Sequence, residues 1–184
     1  MNIPNILTLV RFCLIPVFIY FFFSDLESNY IISAGIFLFA GFTDVLDGYI
    51  ARKYNMITKW GKLLDPLADK SMQLTVIICL SYKGLVPLWA IYIIAAKEIL
   101  MVIGSIVLYQ ERVVVSANWY GKAATVLFYL AILVIIVLKD YLTDLQRTFL
   151  MGIAVGSALF AFVRYTVNFR QLKYSVKLVD KDRN

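Results

Sequence analysis

Six long apolar runs dominate this sequence. A helix of about 20 mostly apolar residues crosses the hydrocarbon core of a bilayer, and runs of about that length occupy 5–23, 30–51, 63–82, 86–109, 119–138 and 147–169. The mean hydropathy of +0.79 and the hydrophobic content of 61% are far above the values of a soluble domain of 184 residues. We therefore expect an all-α integral membrane protein, folded as a six-transmembrane-helix bundle.

Positive charges are distributed unevenly between the two sides of this bundle. Eleven lysines and arginines lie at the second and fourth connections and in the C-terminal tail, whereas the opposite connections carry only Lys83, Lys139 and Arg147. Because the cytoplasmic side of a membrane retains basic residues, both termini are expected to be cytoplasmic. The predicted organisation is one transmembrane domain at 1–170 and a polar cytoplasmic tail at 171–184. Topology accounts for much of the net charge of +6, so no nucleic-acid partner is expected.

Four aspartates interrupt the apolar pattern where the second span ends and the third begins. Asp44 and Asp47 are three residues apart, and Asp65 and Asp69 are four apart, so each pair lies on one helical face. The two spans are antiparallel neighbours joined by a short connection, and we expect the four carboxylates to converge. Ionisable groups inside a membrane are costly and indicate a functional site by default.

Carboxylates this close must take up protons or bind a cation. The chain has no histidine, and Cys13 and Cys79 fall inside spans as small apolar residues that imply neither a disulfide nor a metal site. An all-oxygen donor set suits Mg²⁺ or Mn²⁺, with Ca²⁺ as an alternative, and has the capacity for two ions about 4 Å apart. We therefore expect the four aspartates to be metal ligands.

Small and basic residues lie beside the aspartates. Gly48 follows Asp47 directly and Gly61 lies one turn before Asp65, so the backbone is open there to a flat ring or a phosphate. Arg52 adds positive charge at the membrane surface. The alternative interpretation is that the glycines only allow close helix packing and that the arginine only anchors the connection.

These residues together match a known signature. The pattern D-x2-D-G-x2-A-R-x8-G-x3-D-x3-D, which begins at Asp44 and ends at Asp69, resembles that of the CDP-alcohol phosphatidyltransferases at every fixed position. The six-span layout, with the motif bridging the second and third spans, is also similar to that family, so the resemblance covers essentially the whole chain. It implies an enzyme that transfers a phosphatidyl group from CDP-diacylglycerol to an alcohol and releases CMP.

The resemblance also implies roles for single residues. Asp44, Asp47 and Asp65 would be metal ligands, and Asp69 would be both a metal ligand and the catalytic general base for the acceptor hydroxyl. The residues assigned to the CDP site are Asp44, Gly48, Arg52, Gly61, Thr8 and Asn5. Attack in line on the phosphorus that bears diacylglycerol would need no covalent enzyme intermediate.

The acceptor depends on residues outside the motif. The opening segment NIPNILTLVRFCLIPVF resembles that of the phosphatidylglycerophosphate synthases of this family, whose acceptor is sn-glycerol 3-phosphate, and that of its cardiolipin synthases, whose acceptor is phosphatidylglycerol. Asn5, Thr8 and Arg11 recur at a spacing of three and share one helical face. A dianionic acceptor needs fixed cations, and the candidates for binding it are Lys97, Lys122, Arg164 and Arg11.

Two positions depart from the glycerophosphate-acceptor pattern. Ser105 stands where that pattern has a second arginine in the fourth span, and Ala124 stands where it has a second lysine entering the fifth. Phosphatidylglycerol carries a single negative charge, so a cardiolipin synthase is the rival interpretation. For Lys97 and Glu98 the alternative role is a local ion pair. From the opening segment we expect sn-glycerol 3-phosphate as the acceptor.

A transporter or proton channel is the remote alternative, because it also uses intramembrane carboxylates. It would place them near the membrane midplane on broken helices, whereas these aspartates lie near one membrane face. The expectation is therefore a multi-pass protein of the bacterial cell membrane whose active site faces the cytosol. The expected cofactors are Mg²⁺ or Mn²⁺ as two ions, and the tendency of the family makes a homodimer the expected assembly.

Overall fold

The computed structural model describes residues 3–54, 59–110 and 119–181, and the regular structure in these ranges is entirely α-helical. The helices are α1 (Ile3–Phe23), α2 (Asn29–Lys53), α3 (Lys59–Tyr82), α4 (Leu88–Gln110), α5 (Trp119–Val137) and α6 (Asp144–Lys181). The all-α class expected from the apolar runs is confirmed for this part of the chain.

The helix boundaries lie close to those expected from the apolar runs, except at the end of α6. This helix does not stop at 169 but continues to Lys181, through most of the segment assigned to the polar tail. Backbone hydrogen bonds hold a helix whatever the polarity of its side chains, so the loss of apolar character does not mark its end. Helices α1, α2, α5 and α6 have described stretches long and apolar enough to cross a membrane.

The helices pack around a shared core. Helix α2 contacts α3 and α5, α4 contacts α3 and α6, and α5 contacts α6, so the contacts close into a ring of five helices. Helix α1 packs against both α2 and α3. Each helix contributes a fully buried side chain to one apolar cluster, namely Phe18, Phe37, Ile77, Ala90, Ile132 and Met151 in chain order. This packing brings the start of α1 against the aspartate-bearing ends of α2 and α3.

A glycine ends α3. Gly84 has a φ of +71°, in the left-handed region that L side chains rarely adopt. Its N–H donates to the carbonyl of Ser81 at 3.0 Å, and the N–H of Leu85 donates to the carbonyl of Leu80 at 2.9 Å. These two bonds form a Schellman motif, which satisfies the last carbonyls of the helix. The chain can therefore turn sharply and enter α4.

Large apolar side chains are exposed on every helix. Those more than half exposed include Tyr20, Ile31, Ile78, Ile99, Val126 and Phe149. Soluble monomers rarely expose contiguous apolar surface on this scale, whereas lipid tails accommodate it. Together with the four long apolar helices, this surface identifies a membrane protein.

Candidate active site

A buried arginine joins the two aspartates of α2. Arg11 on α1 is fully buried, and its Nη1 lies 2.9 Å from Oδ1 of Asp44. Its Nη2 forms a second ion pair with Oδ2 of Asp47, a residue that is only 3% exposed. Nη1 also donates to the backbone carbonyl of Asp65 at 3.3 Å. One guanidinium therefore ties the start of α1 to the end of α2 and the start of α3.

Thr8 lies one turn before Arg11 and contacts the third aspartate. Its hydroxyl donates a hydrogen bond to Oδ1 of Asp65. The two side chains share a face of α1, as their three-residue spacing predicts, and Asn5 occupies the preceding position of that face, half-buried. Helix α1 therefore provides polar partners for three of the four aspartates.

The fourth aspartate has a separate set of partners. Asp69 on α3 is buried, and its Oδ1 accepts a hydrogen bond of 3.0 Å from the hydroxyl of Tyr129 on α5. Its Oδ2 accepts a hydrogen bond of 2.9 Å from Nε2 of Gln73, and Nζ of Lys70 lies 3.5 Å from the same oxygen. Both carboxylate oxygens are therefore held by donors from two helices.

The convergence of the four carboxylates on one metal-binding point stays a prediction. In the part of the chain that the structure describes, no group of three or more aspartate, glutamate or cysteine side chains is arranged to hold a metal ion. Each carboxylate has a protein partner in this structure: Arg11 binds the two on α2, Thr8 binds Asp65, and donors from α3 and α5 hold Asp69. The donor set is all-oxygen, which is the chemistry that a hard divalent cation requires.

A cavity of about 340 Å³ lies between α3, α4, α5 and α6. Its α3 lining consists of Lys70 and Gln73, the two residues of that helix that contact Asp69. Its other lining residues include three of the four cations predicted to bind the acceptor, namely Lys97, Lys122 and Arg164. The fourth predicted cation, Arg11, is not among the lining residues, because its guanidinium is bound to the aspartates of α2.

The charge of this cavity is positive although part of it is paired. Nζ of Lys97 lies 2.7 Å from Oε1 of Glu98, and Nζ of Lys70 lies 3.5 Å from the same atom. The local ion pair considered for the sequence Lys97-Glu98 is therefore present, alongside a position in the cavity wall. Lys122 is exposed, and the guanidinium of Arg164 lies 5.4 Å from the centre of an α5 tyrosine ring. Four cations against one carboxylate leave the lining with a net charge of +3.

The remaining predicted positions fall in different places. Gly48 lies half-buried on α2. The side chains of Arg52 and Ser105, and the surroundings of Gly61, lie outside the described residues. Ala124 lines the cavity and is 6% exposed. One of the two departures from the glycerophosphate-acceptor pattern is therefore located in the cavity wall.

Three residues of this site do not follow from the sequence interpretation: Lys70, Gln73 and Tyr129. Gln73 continues the four-residue spacing of Asp65 and Asp69, so its position on the same helical face was a usable signal. Tyr129 is separated from Asp69 by 60 residues, and no local pattern distinguishes it among the 12 tyrosines of the chain.

These features define a helical membrane protein in which a cluster of aspartates adjoins a positively charged cavity. The sequence model of the CDP-alcohol phosphatidyltransferase family matches residues 1–163. The chain therefore belongs to the CDP-alcohol phosphatidyltransferase family, which confirms the resemblance seen in the aspartate motif.

Two curated relatives match nearly the whole chain, and a third matches about half of it. The CDP-diacylglycerol--glycerol-3-phosphate 3-phosphatidyltransferase of Aquifex aeolicus is 35% identical over 170 residues, which cover 90% of this chain and 92% of that protein. The Haemophilus influenzae protein of the same name is 31% identical over 168 residues, covering 89% and 91%. A cardiolipin synthase (CMP-forming) / mitochondrial hydrolase fusion protein of Schizosaccharomyces pombe is 39% identical over 101 residues, covering 55% of this chain and 16% of that protein.

Proposed function

We propose that this enzyme transfers the phosphatidyl group of CDP-diacylglycerol to sn-glycerol 3-phosphate, forming phosphatidylglycerophosphate and releasing CMP in phospholipid biosynthesis. The observation that carries the proposal is the cavity next to Asp69, which is lined by Lys97, Lys122 and Arg164. A dianionic phosphate needs several fixed cations, and here they surround a space whose α3 wall contacts a carboxylate base. The names of the two near-full-length relatives support the same acceptor.

The proposed general base is Asp69. Its carboxylate accepts the proton of the acceptor hydroxyl as that oxygen attacks the phosphorus that bears diacylglycerol. A bond forms between the acceptor oxygen and this phosphorus, and the bond from the phosphorus to the oxygen shared with CMP breaks. CMP leaves with the electron pair of that bond, and no covalent enzyme intermediate is needed.

The proposed cofactors are two Mg²⁺ or Mn²⁺ ions held by Asp44, Asp47, Asp65 and Asp69. The support is chemical: four oxygen donors on two neighbouring helices match the preference of hard divalent cations. Bound ions of this kind polarise a pyrophosphate and stabilise the departing phosphate. Because Arg11 pairs with the two aspartates of α2, we expect metal binding to loosen those ion pairs.

The proposed CDP site runs along α1 and the aspartate motif. Its residues would be Asn5, Thr8, Asp44, Gly48, Arg52 and Gly61. The hydrogen bond of Thr8 to Asp65 and the ion pair of Arg11 with Asp44 support this proposal, because they join the face of α1 to the motif.

The acceptor is tested by incubating the purified protein with CDP-diacylglycerol and Mg²⁺ or Mn²⁺. Glycerol 3-phosphate, phosphatidylglycerol, inositol, inositol phosphate and serine are offered separately, and the lipid product is identified by mass spectrometry. We expect phosphatidylglycerophosphate and stoichiometric CMP only with glycerol 3-phosphate. CMP release that depends on another alcohol would contradict the proposed acceptor.

The proposed base is tested in the same assay with Asp69→Asn. This variant should release no CMP, whereas Asp140→Asn, at an exposed aspartate between α5 and α6, should keep wild-type activity. A transporter or channel predicts instead that Asp69→Asn alters ion flux in proteoliposomes. Wild-type CMP release by Asp69→Asn would remove this residue from the mechanism.

A second candidate function is that of a cardiolipin synthase with phosphatidylglycerol as acceptor. Ala124 favours it, because an alanine stands in the cavity wall where the glycerophosphate-acceptor pattern has a lysine. A phosphodiester acceptor has one negative charge and needs fewer cations. Formation of cardiolipin from phosphatidylglycerol, without product from glycerol 3-phosphate, would select this function.

We also propose a homodimer in the bacterial cell membrane with six spans, a transmembrane domain at 1–170, both termini in the cytosol and the active site facing it. The support for the orientation is the concentration of basic residues at the connections on the active-site side. Reporter fusions at the two termini test the orientation, since alkaline phosphatase is active only outside the cytosol and green fluorescent protein fluoresces inside it. Light scattering of the detergent-solubilised protein measures the oligomeric state.

A further inference from the structure

We propose that Tyr129 is a positioning residue for the general base Asp69, and that Gly41 is the position on α2 that allows Tyr129 to reach it. This inference rests on the proposed function, because it takes Asp69 as the base. Tyr129 lies outside the aspartate motif and is not among the lining residues of the cavity. Its contribution to the reaction would therefore pass through Asp69.

The orientation of the Asp69 carboxylate is set by donors from two helices. Oδ1 accepts the hydroxyl of Tyr129 at 3.0 Å, and Oδ2 accepts Nε2 of Gln73 at 2.9 Å. Because Gln73 lines the cavity and Tyr129 does not, the tyrosine holds one oxygen while the donor to the other oxygen belongs to the cavity wall. A carboxylate offers about four lone-pair sites, so a substrate hydroxyl can still donate to this group.

The ring of Tyr129 is held against α2 by an aromatic neighbour. It stacks on Phe37 with a centroid distance of 4.4 Å and an interplanar angle of 6°, and it meets the edge of Phe128 at 6.5 Å. Phe37 and Gly41 are one turn apart on α2, so both lie beside the same ring. Packing against Phe37 therefore fixes the position of the ring, and this position directs the hydroxyl toward Asp69.

Gly41 leaves the space that the hydroxyl end of this ring occupies. A Cβ at this position would lie 2.6 Å from Cε1 of Tyr129, 3.2 Å from Cδ1 and 3.3 Å from Cζ. Cε1 and Cζ are the ring atoms nearest the hydroxyl, so an alanine would displace the donor from Asp69. Gly35, on the same helix, has no atom within 4 Å of its added Cβ. Gly41 and Gly35 therefore form a matched pair for mutation.

The first test is Tyr129→Phe, which keeps the ring and removes the hydrogen bond. We expect kcat to fall about tenfold, because a hydrogen bond to a charged group that acts in the chemical step is lost. KM for CDP-diacylglycerol and for glycerol 3-phosphate should stay within about twofold, because Tyr129 does not bind either substrate. Tyr141→Phe, at a residue 84% exposed, should leave both parameters unchanged. A Tyr129→Phe enzyme with wild-type kcat would overturn the proposal.

The second test is a double-mutant cycle with Gly41→Ala. Alone, this substitution should lower kcat to a similar extent, and Gly35→Ala should not. In the Tyr129→Phe background Gly41→Ala should have little further effect, because no hydrogen bond is left to displace. Two losses that simply multiply would show that Gly41 acts by another route. If Tyr129→Phe fails to fold, the comparison of Gly41→Ala with Gly35→Ala decides, since both keep every polar group.

These outcomes separate the inference from the function on which it rests. Failure of the wild-type enzyme to form phosphatidylglycerophosphate and CMP from glycerol 3-phosphate would contradict the proposed function, and wild-type CMP release by Asp69→Asn would remove the base on which the inference rests. An inactive Asp69→Asn together with a fully active Tyr129→Phe would contradict only the positioning role. Thermal unfolding of each variant shows whether a loss of kcat comes from loss of the fold.

Discussion

Replacing Arg11 by methionine tests how the aspartate cluster is stabilised. Methionine has an unbranched apolar side chain of similar length, so the change removes the charge and the donors but retains much of the packing. Asp47, at 3% exposed, would then be a buried carboxylate without its ion-pair partner, and Asp44 would also lose its cation. We therefore expect Arg11→Met to destabilise the metal-free protein strongly.

The magnitude follows from the burial of the two ion pairs. Breaking a buried pair by removing one partner costs about 3–5 kcal/mol, and this range applies to Arg11 with Asp47. The side chain of Asp44 is 39% exposed, so solvent screens that pair and it adds at most about 1 kcal/mol. In a chain of this length about 1 kcal/mol corresponds to roughly 2–4 °C in Tm. The melting temperature should therefore fall by roughly 6–24 °C.

The assay is thermal unfolding of the detergent-purified protein, first with EDTA and then with Mn²⁺. If the aspartates form the metal site, Mn²⁺ should raise the Tm of Arg11→Met more than that of the wild type, because the ion replaces the guanidinium; at 100 times Kd the stabilisation is about 2.7 kcal/mol. Arg147→Met is the control: its partner Asp144 is 91% exposed, so that pair contributes about 1 kcal/mol or less. The hydrogen bond of 2.6 Å from Nη2 of Arg147 to the carbonyl of Lys139 contributes about 1 kcal/mol more, so this variant should lose less stability than Arg11→Met.

Two results would refute this reasoning separately. If Arg11→Met has the same Tm as the Arg147→Met control in EDTA, the buried ion pairs do not stabilise the bundle. A large destabilisation that Mn²⁺ leaves unchanged would support the ion pairs but contradict the assignment of the aspartates as metal ligands.

Three further changes test the cavity and the turn after α3. Lys122→Ala should raise KM for glycerol 3-phosphate about tenfold, because it removes a charge-assisted contact. Lys139→Ala should leave this KM unchanged, and equal effects of the two substitutions would exclude Lys122 from the acceptor site. Ala124→Lys should lower KM for glycerol 3-phosphate by up to about tenfold relative to that for phosphatidylglycerol, and an unchanged ratio would show that this wall does not contact the acceptor. Gly84→Ala should destabilise the protein by about 1–2 kcal/mol, because the φ of Gly84 is +71°. Gly152→Ala should not destabilise it, since a Cβ there meets no atom within 4 Å, and thermal unfolding compares the two variants.

The helices were predictable because their cause is local. Each apolar run is long enough to form a helix on its own, and five of the six helices end close to the predicted positions. Helix α6 runs on to Lys181, because side-chain polarity marks the edge of a membrane but not the end of backbone hydrogen bonding. The turn at Gly84 also depends on local geometry, but its positive φ is visible only in the structure.

Helical spacing predicts which residues near the aspartates share a helical face. The spacing of Thr8 and Arg11 predicts one face of α1, and in the structure Thr8 hydrogen-bonds to Asp65 while Arg11 forms ion pairs with Asp44 and Asp47. Spacing could not predict that Arg11 would bind carboxylates and stay out of the cavity. That choice depends on α1 packing against both α2 and α3, which brings the guanidinium of Arg11 within ion-pair distance of Asp44 and Asp47.

The chain alone was enough for the class of protein and the family, because hydropathy and short spacings are properties of contiguous sequence. The hydrogen-bond and ion-pair partners of the four aspartates depend on how distant helices pack, and only the structure shows them. Tyr129 reaches Asp69 across 60 residues, through a space that Gly41 leaves open. Such a contact depends on how three helices pack together, and no periodicity within one helix contains that information.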